Sequence, residues 1–333
     1  QTVITSWLGK WFMRMRERFN KRLGWIRRPT LPIARKWPTW IDKGVVLAPN
    51  WLAKPYIISD PDVHREGDNL VMLVTGVKSY GGDPEVWKTE VYKYTSTDNG
   101  ASWTLTDTPV VASKDDASWD ERSETAHYYA GTTYYVGYTD EAAAAGVFPA
   151  SIGASGTAYM DPAFDAATTA KADSALYSPT ILNVEGTLHM IYTGVDWNTA
   201  PNHNILGATS TNGTAWTPHS AVVLAPNSSY SWMSTGVSEA TMVKAGGKYW
   251  LFFTGMKTDG ADEYRAIGQA YAAHPFGPYT VMKEEPIITA SNSETHHSLG
   301  PCVIYEGGVF RMWYIYLVAA DSNYQIHYAE GTL

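Results

Sequence analysis

One hexapeptide occurs twice in this chain, Val-Val-Leu-Ala-Pro-Asn at 45–50 and again at 222–227, with relatives PVVAS at 109–113 and PIITAS at 286–291. The starts at Val45, Val110, Val222 and Ile287 lie 65, 112 and 65 residues apart, so one copy inside the middle interval has diverged. Self-similarity at this period constrains the fold tightly, because each repeat can cover its apolar face only by stacking on the next. A second element recurs in its own phase: an apolar-aromatic run after a Gly turn. Its copies are REGDNLVMLVTG ending at Gly76, YAGTTYYVGYTD at Asp140, VEGTLHMIYTG at Gly194, AGGKYWLFFTG at Gly255 and YEGGVFRMWYIYL at Leu317. Each reads as strand, tight turn, aromatic strand. A third element follows every copy, as in EVYKYTSTDNGASW, ASIGASGTAYMDPAF, NILGATSTNGTAW, AIGQAYAAHPFGPY and YQIHYAEGTL. The pattern predicts an all-β fold, a five-bladed β-propeller of four-stranded blades. The fifth unit reaches Leu333 without an outer strand, while a strand pattern at 44–50 precedes the first unit. That N-terminal strand is expected to complete the last blade and close the ring, which removes exposed sheet edges. Segments 141–157 and 165–174, rich in Ala, Gly, Ser and Thr, read as a long excursion of the second blade.

Two regions follow: residues 1–36, a basic amphipathic helix with a linker, and residues 37–333, the propeller. In the first, Trp7, Trp11, Met15, Phe19 and Leu23 recur every four residues, and Pro29, Pro32 and Pro38 end the helix. Packing on its own propeller or on a second copy, giving a homo-oligomer, is the first reading. Membrane-surface contact through residues 1–28 is the second. Residues 1–36 hold ten of the 25 Lys and Arg and one acid, Glu17, which leaves 15 bases against 32 acids in the remainder. An acidic body argues against nucleic acid as a partner. It fits a secreted or periplasmic protein, with the start at Gln1 read as a leader removed or omitted. There is no run of 18 apolar residues to span a bilayer. The single cysteine, Cys302, sits in the apolar stretch GPCVIY and is expected to be buried and inert.

In a propeller the starts of the innermost strands converge on one funnel. Seven or so positions before each hairpin Gly stand Asp60 in SDPDV, Glu124 in RSETAHYY, Ser178 in YSPTIL and Glu239 in VSEATMV. From the fifth unit, His296, His297 and Ser298 in THHSLGP are taken. Breaking a glycosidic bond needs a protonated acid on the leaving oxygen and a carboxylate on the opposite face. Carboxylates gathered from different units repel, which keeps one of them protonated. Asp62 shares a strand side with Asp60 and is an alternative base. Trp51, Trp119, Trp197 and Trp232 are candidates to stack on a sugar face.

Several of these stretches resemble the family 43 glycoside hydrolases and their five-bladed, invertase-like relatives. SDPDVHREGDNLVMLVTG resembles the first-blade motif, GVSEATMVKAGGKYWLFFTG the blade carrying the acid Glu, and HHSLGPCVIYEGGVFRMWYIY the last blade with its His; IGQAYAAHPFGPY is similar to the recurrent third strand. The resemblance implies a glycosidase that inverts configuration on an arabinose-, xylose- or fructose-like sugar of an oligo- or polysaccharide. It implies Asp60 as general base, Glu239 as general acid and His297 as a sugar or centre contact. The sequence departs from that family at Ser178, where the family places an Asp, and at Glu124, which echoes the blade-two carboxylate of the invertase-like group. Glu124 is therefore the candidate third carboxylate, and Ser178, His296, His297, Trp232 and Asp62 are candidate substrate contacts.

The stretch Ser96–Trp103 matches the Asp-box pattern and Ser210–Trp216 is a shortened version; both are expected to build outer hairpin turns. They also occur in sialidases, which need an Arg cluster that the inner strands do not supply. A phosphorylase would need a cationic phosphate pocket. The alternative outside catalysis is a carbohydrate-binding propeller without turnover, suggested by Ser178. No cofactor and no bound metal are expected, with an axial ion in the central channel left open.

Overall fold

The computed structural model describes residues 38–49, 57–81, 86–106, 109–110, 121–128, 133–139, 150–154, 161–165, 175–196, 203–213, 215–259, 262–282, 284–289, 296–318 and 323–333. The helix and linker expected over residues 1–36 lie outside them, as do Trp51, Trp119 and Trp197. The rest is all-β, of propeller type. Among the described residues the strands fall into five groups of four. The first is β2 (Ile57–Glu66), β3 (Asn69–Gly81), β4 (Val86–Ser96) and β5 (Thr104–Leu105). The second is β6 (Glu121–Tyr128), β7 (Thr133–Thr139), β8 (Ala150–Ala154) and β9 (Asp161–Asp165), so one strand, β8, lies within the first segment read as an excursion. The third is β10 (Ala175–Val184), β11 (Thr187–Val195), β12 (His203–Ser210) and β13 (Thr217–Pro218). The fourth is β14 (Gly236–Ala245), β15 (Lys248–Asp259), β16 (Asp262–Ala272) and β17 (Thr280–Val281). The fifth is β18 (His296–Glu306), β19 (Val309–Val318) and β20 (Asn323–Thr332), with β1 (Thr39–Leu47) paired to the free edge of β20.

Within each group successive strands are antiparallel, as the short Gly turns dictate. Single parallel pairs, Thr89 with Glu121 and His203 with Gly236, link the first group to the second and the third to the fourth. The first strands touch in cyclic order: β2 meets β6, β6 meets β10, β10 meets β14, β14 meets β18, and β18 returns to β2. The second strands β3 and β15 are covered on both faces, which is why they read as continuous apolar runs rather than alternating ones. Leu70, Val71, Met72, Leu73 and Val74 of β3 are all buried, as are Trp250 to Phe253 of β15.

Two apolar clusters fill the space between sheets. One, between the third and fourth groups, holds Ile191, Met233, Leu251 and Phe253. The other, between the fifth and first, holds Ile58, Val63, Met72, Trp313 and Ile315. Trp232, proposed from the sequence as a sugar platform, belongs to the first cluster instead. It lies on a single 3-10 turn, Ser231–Met233, is 9% exposed, and stacks on Phe253 with ring centroids 5.7 Å apart. Gly255 and Gly268 make room for its indole: a Cβ at either would stand 2.3 or 2.1 Å from a ring carbon. The fifth and first groups are clamped by a two-pronged Arg65–Glu306 pair, with Nε to Oε1 at 2.8 Å and Nη2 to Oε2 at 2.7 Å.

Both Asp boxes are outer turns, as expected. In the first, the Gly100 N–H donates to Ser96 Oγ at 2.8 Å and the Ser102 N–H to Asp98 Oδ1 at 2.9 Å. The Ser102 hydroxyl first, then the Ser102 N–H and the Ser96 hydroxyl, hold the Asp98 carboxyl down at about 2. Trp103 then turns inward edge-on to Trp313 at 6.3 Å.

Overpacking is the predicted consequence of filling the Trp232 slot. Gly268→Ala should lower stability by about 1–3 kcal/mol, read as a shift in the denaturant midpoint. An unchanged midpoint would show that the slot is not tight.

Candidate functional site

Each of the five first strands loses register with its second strand at one place. The shifts fall between Ser59 and Asp62, Ser123 and Thr125, Tyr177 and Thr180, Ser238 and Thr241, and Leu299 and Cys302. The residues left out of the pairing are Asp60-Pro61, Glu124, Ser178-Pro179, Glu239-Ala240 and Gly300-Pro301. A bulge re-aims the side chain it carries, and here it does so in every group. Asp60, Ser178, Glu239 and Gly300 have φ of 51°, 48°, 49° and 59°. For a side chain larger than Asn or Asp this left-handed backbone costs about 1 kcal/mol or more, and such strain clusters where function needs an exact aim.

The four bulges open on one cavity, walled by residues 60–62, 178–180, 239–241 and 300–302. Asp60, Asp62, Ser178 and Glu239 therefore share a site, as the sequence indicated. Glu124 occupies the matching bulge of β6 by its backbone; its side chain lies outside the described set. The fifth group is a correction. Its bulge carries Gly300, not His296, His297 or Ser298, which stand two to four residues earlier on β18. The seven-residue spacing from hairpin Gly307 itself points to Gly300; the adjacent His pair drew attention because its chemistry is conspicuous.

Glu239, 8% exposed, is held by fixed donors. Its Oε2 accepts from Thr254 Oγ1 at 2.6 Å and from the Gly300 N–H at 3.1 Å, and its Oε1 faces Arg265 Nη1 at 3.7 Å. Its own N–H donates to Thr193 Oγ1 of β11 at 2.8 Å. Arg265 reaches in from the start of β16 and also pairs with Glu263. Burial works against the guanidinium charge, but Glu239 and Glu263 outweigh it and raise its proton affinity.

Asp60 leans the other way. Burial pushes its carboxyl up to about 6, the Ser59 hydrogen bond at 2.7 Å opposes this, and the Glu239 charge pushes it further, while Thr75 and Arg265 pull down. The site thus holds one carboxyl with a raised proton affinity and one that accepts from fixed donors beside a guanidinium.

Arg265, Thr254, Gly300 and Tyr324 are site residues that the sequence reading missed. First and third strands of a group run the same way, so their starts share one end of the channel; that rule points to Arg265 and Tyr324. Burial raises the Tyr324 phenol, and the charges of Asp60 and Glu239 add to it against Arg265. His297 lies at the start of β18 opposite Leu317, half-buried, and outside the cavity wall. His296 packs its ring 5.6 Å from that of Tyr316. Cys302 is buried as expected, accepting from the Val63 N–H at 3.0 Å. Among the described residues no three His, Cys, Asp or Glu side chains gather closely enough to hold a metal ion.

No protein-family model matches this chain, and no curated protein does. Solved structures match its fold throughout. A glycosyl hydrolase from Bacteroides ovatus superimposes with a TM-score of 0.60 at 17% identity, covering 85% of this chain and 90% of its own. An α-L-arabinofuranosidase from Podospora anserina, in complex with cellotriose, gives 0.59 at 10% identity, covering 89% and 97%. A β-1,2-mannobiose phosphorylase from Listeria innocua gives 0.57 at 12% identity, covering 87% and 90%. The architecture is that of the propeller-type glycoside hydrolases, family 43 structures among them.

Asp60 carries a raised proton affinity in the fold, so its ionisation opposes folding. The penalty is absent below the ordinary value of 3.8 and complete above about 6. Asp60→Asn should therefore raise the melting temperature at pH 7.5, by roughly 3 kcal/mol in stability, and leave it nearly unchanged at pH 4. Equal effects at both pH values would contradict the assigned environment.

Proposed function

We propose that this chain is a five-bladed glycoside hydrolase acting on an oligo- or polysaccharide of arabinose-, xylose- or fructose-like units. Asp60 and Glu239 are its catalytic pair, and Glu124 is the third carboxylate. The observation that carries the reading is that two carboxyl groups from distant repeats meet in one cavity, one with a raised proton affinity and the other accepting from fixed donors beside an arginine. Glycosidic cleavage needs that division of labour. The cyclic adjacency of the first strands supports five blades. Inversion of configuration and secretion belong to the same reading.

The roles follow from the resting electrostatics and exchange those implied by the family resemblance. Asp60 holds a proton at mildly acidic pH and donates it to the leaving oxygen. Glu239 accepts from Thr254 and the Gly300 amide beside Arg265, and supplies the negative charge. Phosphate as the acceptor is not favoured, because Arg265 is committed to Glu239 and Glu263.

A second reading, sugar binding without turnover, is supported by Ser178 at the third bulge. Sugar binding without product at any pH would favour it.

With Asp60 as the acid, kcat/KM should fall as pH rises above about 6. Asp60→Asn should slow oligosaccharides by about 10²–10⁴-fold yet largely spare 4-nitrophenyl glycosides, whose leaving group needs no proton. Glu239→Gln should slow both. The reverse pattern would return the acid to Glu239, and activity in both variants close to that of the unmodified chain would end the proposal.

A further inference from the structure

The third strands carry a second ring, of which the catalytic reading uses only Arg265. On β11, β15 and β19, Thr193, Thr254 and Ile315 pair with the residues just before the bulges, Tyr177, Ser238 and Leu299. Two positions further along the same strands, Val195, Met256 and Leu317 pair across to His203, Arg265 and Tyr324. Residues two apart on a strand share a face, so these three occupy one structural position in three successive groups. Tyr177 presents its ring edge-on to His203, with centroids 6.1 Å apart. His297 stands two residues before Leu299, and its Nδ1 is buried without a hydrogen-bond partner among the described residues. A buried polar atom left open in this way calls for a partner from outside the chain.

We propose that His203, Arg265 and Tyr324, with Tyr177 and His297, form a subsite that binds an uncharged sugar unit through its hydroxyls. This rests on the reading of the cavity as a glycosidase site and assigns the residues that would hold its sugar.

The ring is chemically neutral. Arg265 is paired on both sides, to Glu239 and Glu263, so it offers fixed N–H donors with little net charge to attract an anion. Burial, aided by Arg265 and opposed by Glu263, pushes His203 down to about 4. Burial also lowers His297, with Arg265 and His296 adding and Glu263 opposing. Neutral imidazoles and phenols both donate and accept, which suits a vicinal diol, and their rings suit the apolar face of a pyranose or furanose. A uronate, sulfate or phosphate group would need a cation not already engaged.

The test uses the full chain carrying Asp60→Asn to stop turnover. Calorimetric titration with neutral xylo- and arabino-oligosaccharides, and separately with oligogalacturonate, reads the subsite. Binding of a neutral oligosaccharide is expected, with at least tenfold weaker binding of oligogalacturonate. Adding His203→Ala or Tyr324→Phe should each weaken the neutral ligand by about tenfold, the loss of one uncharged hydrogen bond. Should His203→Ala lower the melting temperature, Tyr324→Phe removes a single hydroxyl and still reads the ring. Failure of every neutral probe to bind, equal or tighter binding of oligogalacturonate, or no effect of either substitution would overturn the subsite. Ring-dependent binding with no product from the unmodified chain would keep the subsite and remove the hydrolase reading. Turnover with KM unchanged in both variants would do the opposite.

Discussion

A β-strand in register with its neighbour points alternate side chains to the two faces of its sheet, and neither face looks along an axis shared with other sheets. The bulge in each first strand breaks that rule. It forces Asp60, Ser178, Glu239 and Gly300 into left-handed backbone and turns what they carry toward a common cavity. It also frees backbone groups that the ladder would otherwise use, and these join neighbouring groups. Glu239 donates its N–H to Thr193 of the third group, Gly300 donates to Glu239 of the fourth, and Thr241 donates its hydroxyl to the Pro301 carbonyl. The same irregularity builds the site and the contacts that fix its shape.

Strained positions persist only where their surroundings over-determine them. Here the surroundings are second strands buried on both faces and aromatic side chains seated over glycines. Trp232 fills the space over Gly255 and Gly268. Trp40 lies over Gly331 and reaches Gln269 Oε1 at 3.1 Å, tying the edge strand β1 to the fourth group. The Arg65–Glu306 clamp and the Val63–Cys302 contact hold the seam between the fifth and first groups. A carboxyl such as Asp60 can stay desolvated because the walls around it do not yield.

Charge completes the arrangement. Two carboxylates in one cavity repel, and the repulsion is resolved unequally. Glu239 receives an amide, a hydroxyl and a guanidinium, while Asp60 receives hydroxyls. The inequality comes from the fourth group, whose third strand begins with Glu263 and Arg265. His203 and Tyr324, at the matching position elsewhere, are uncharged in the working pH range. One unit therefore differs electrostatically from the others although the backbone repeats.

The repeat alone determined the strand groups, the pairing of an N-terminal strand with the last group, the outer turns at Asp98 and Asn212, and the bulge positions of Asp60, Glu124, Ser178 and Glu239. These follow from local period and turn chemistry, which a linear chain displays. Tertiary structure decided the rest, because it depends on which faces meet. Whether Trp232 stacks on a sugar or on Phe253 depends on the gap left by two glycines in other strands. That Gly300 holds the fifth bulge position matters because its amide reaches a carboxylate from the fourth group. Arg265, on a third strand, leans across to Glu239, a contact between side chains 26 residues apart that spacing alone does not express.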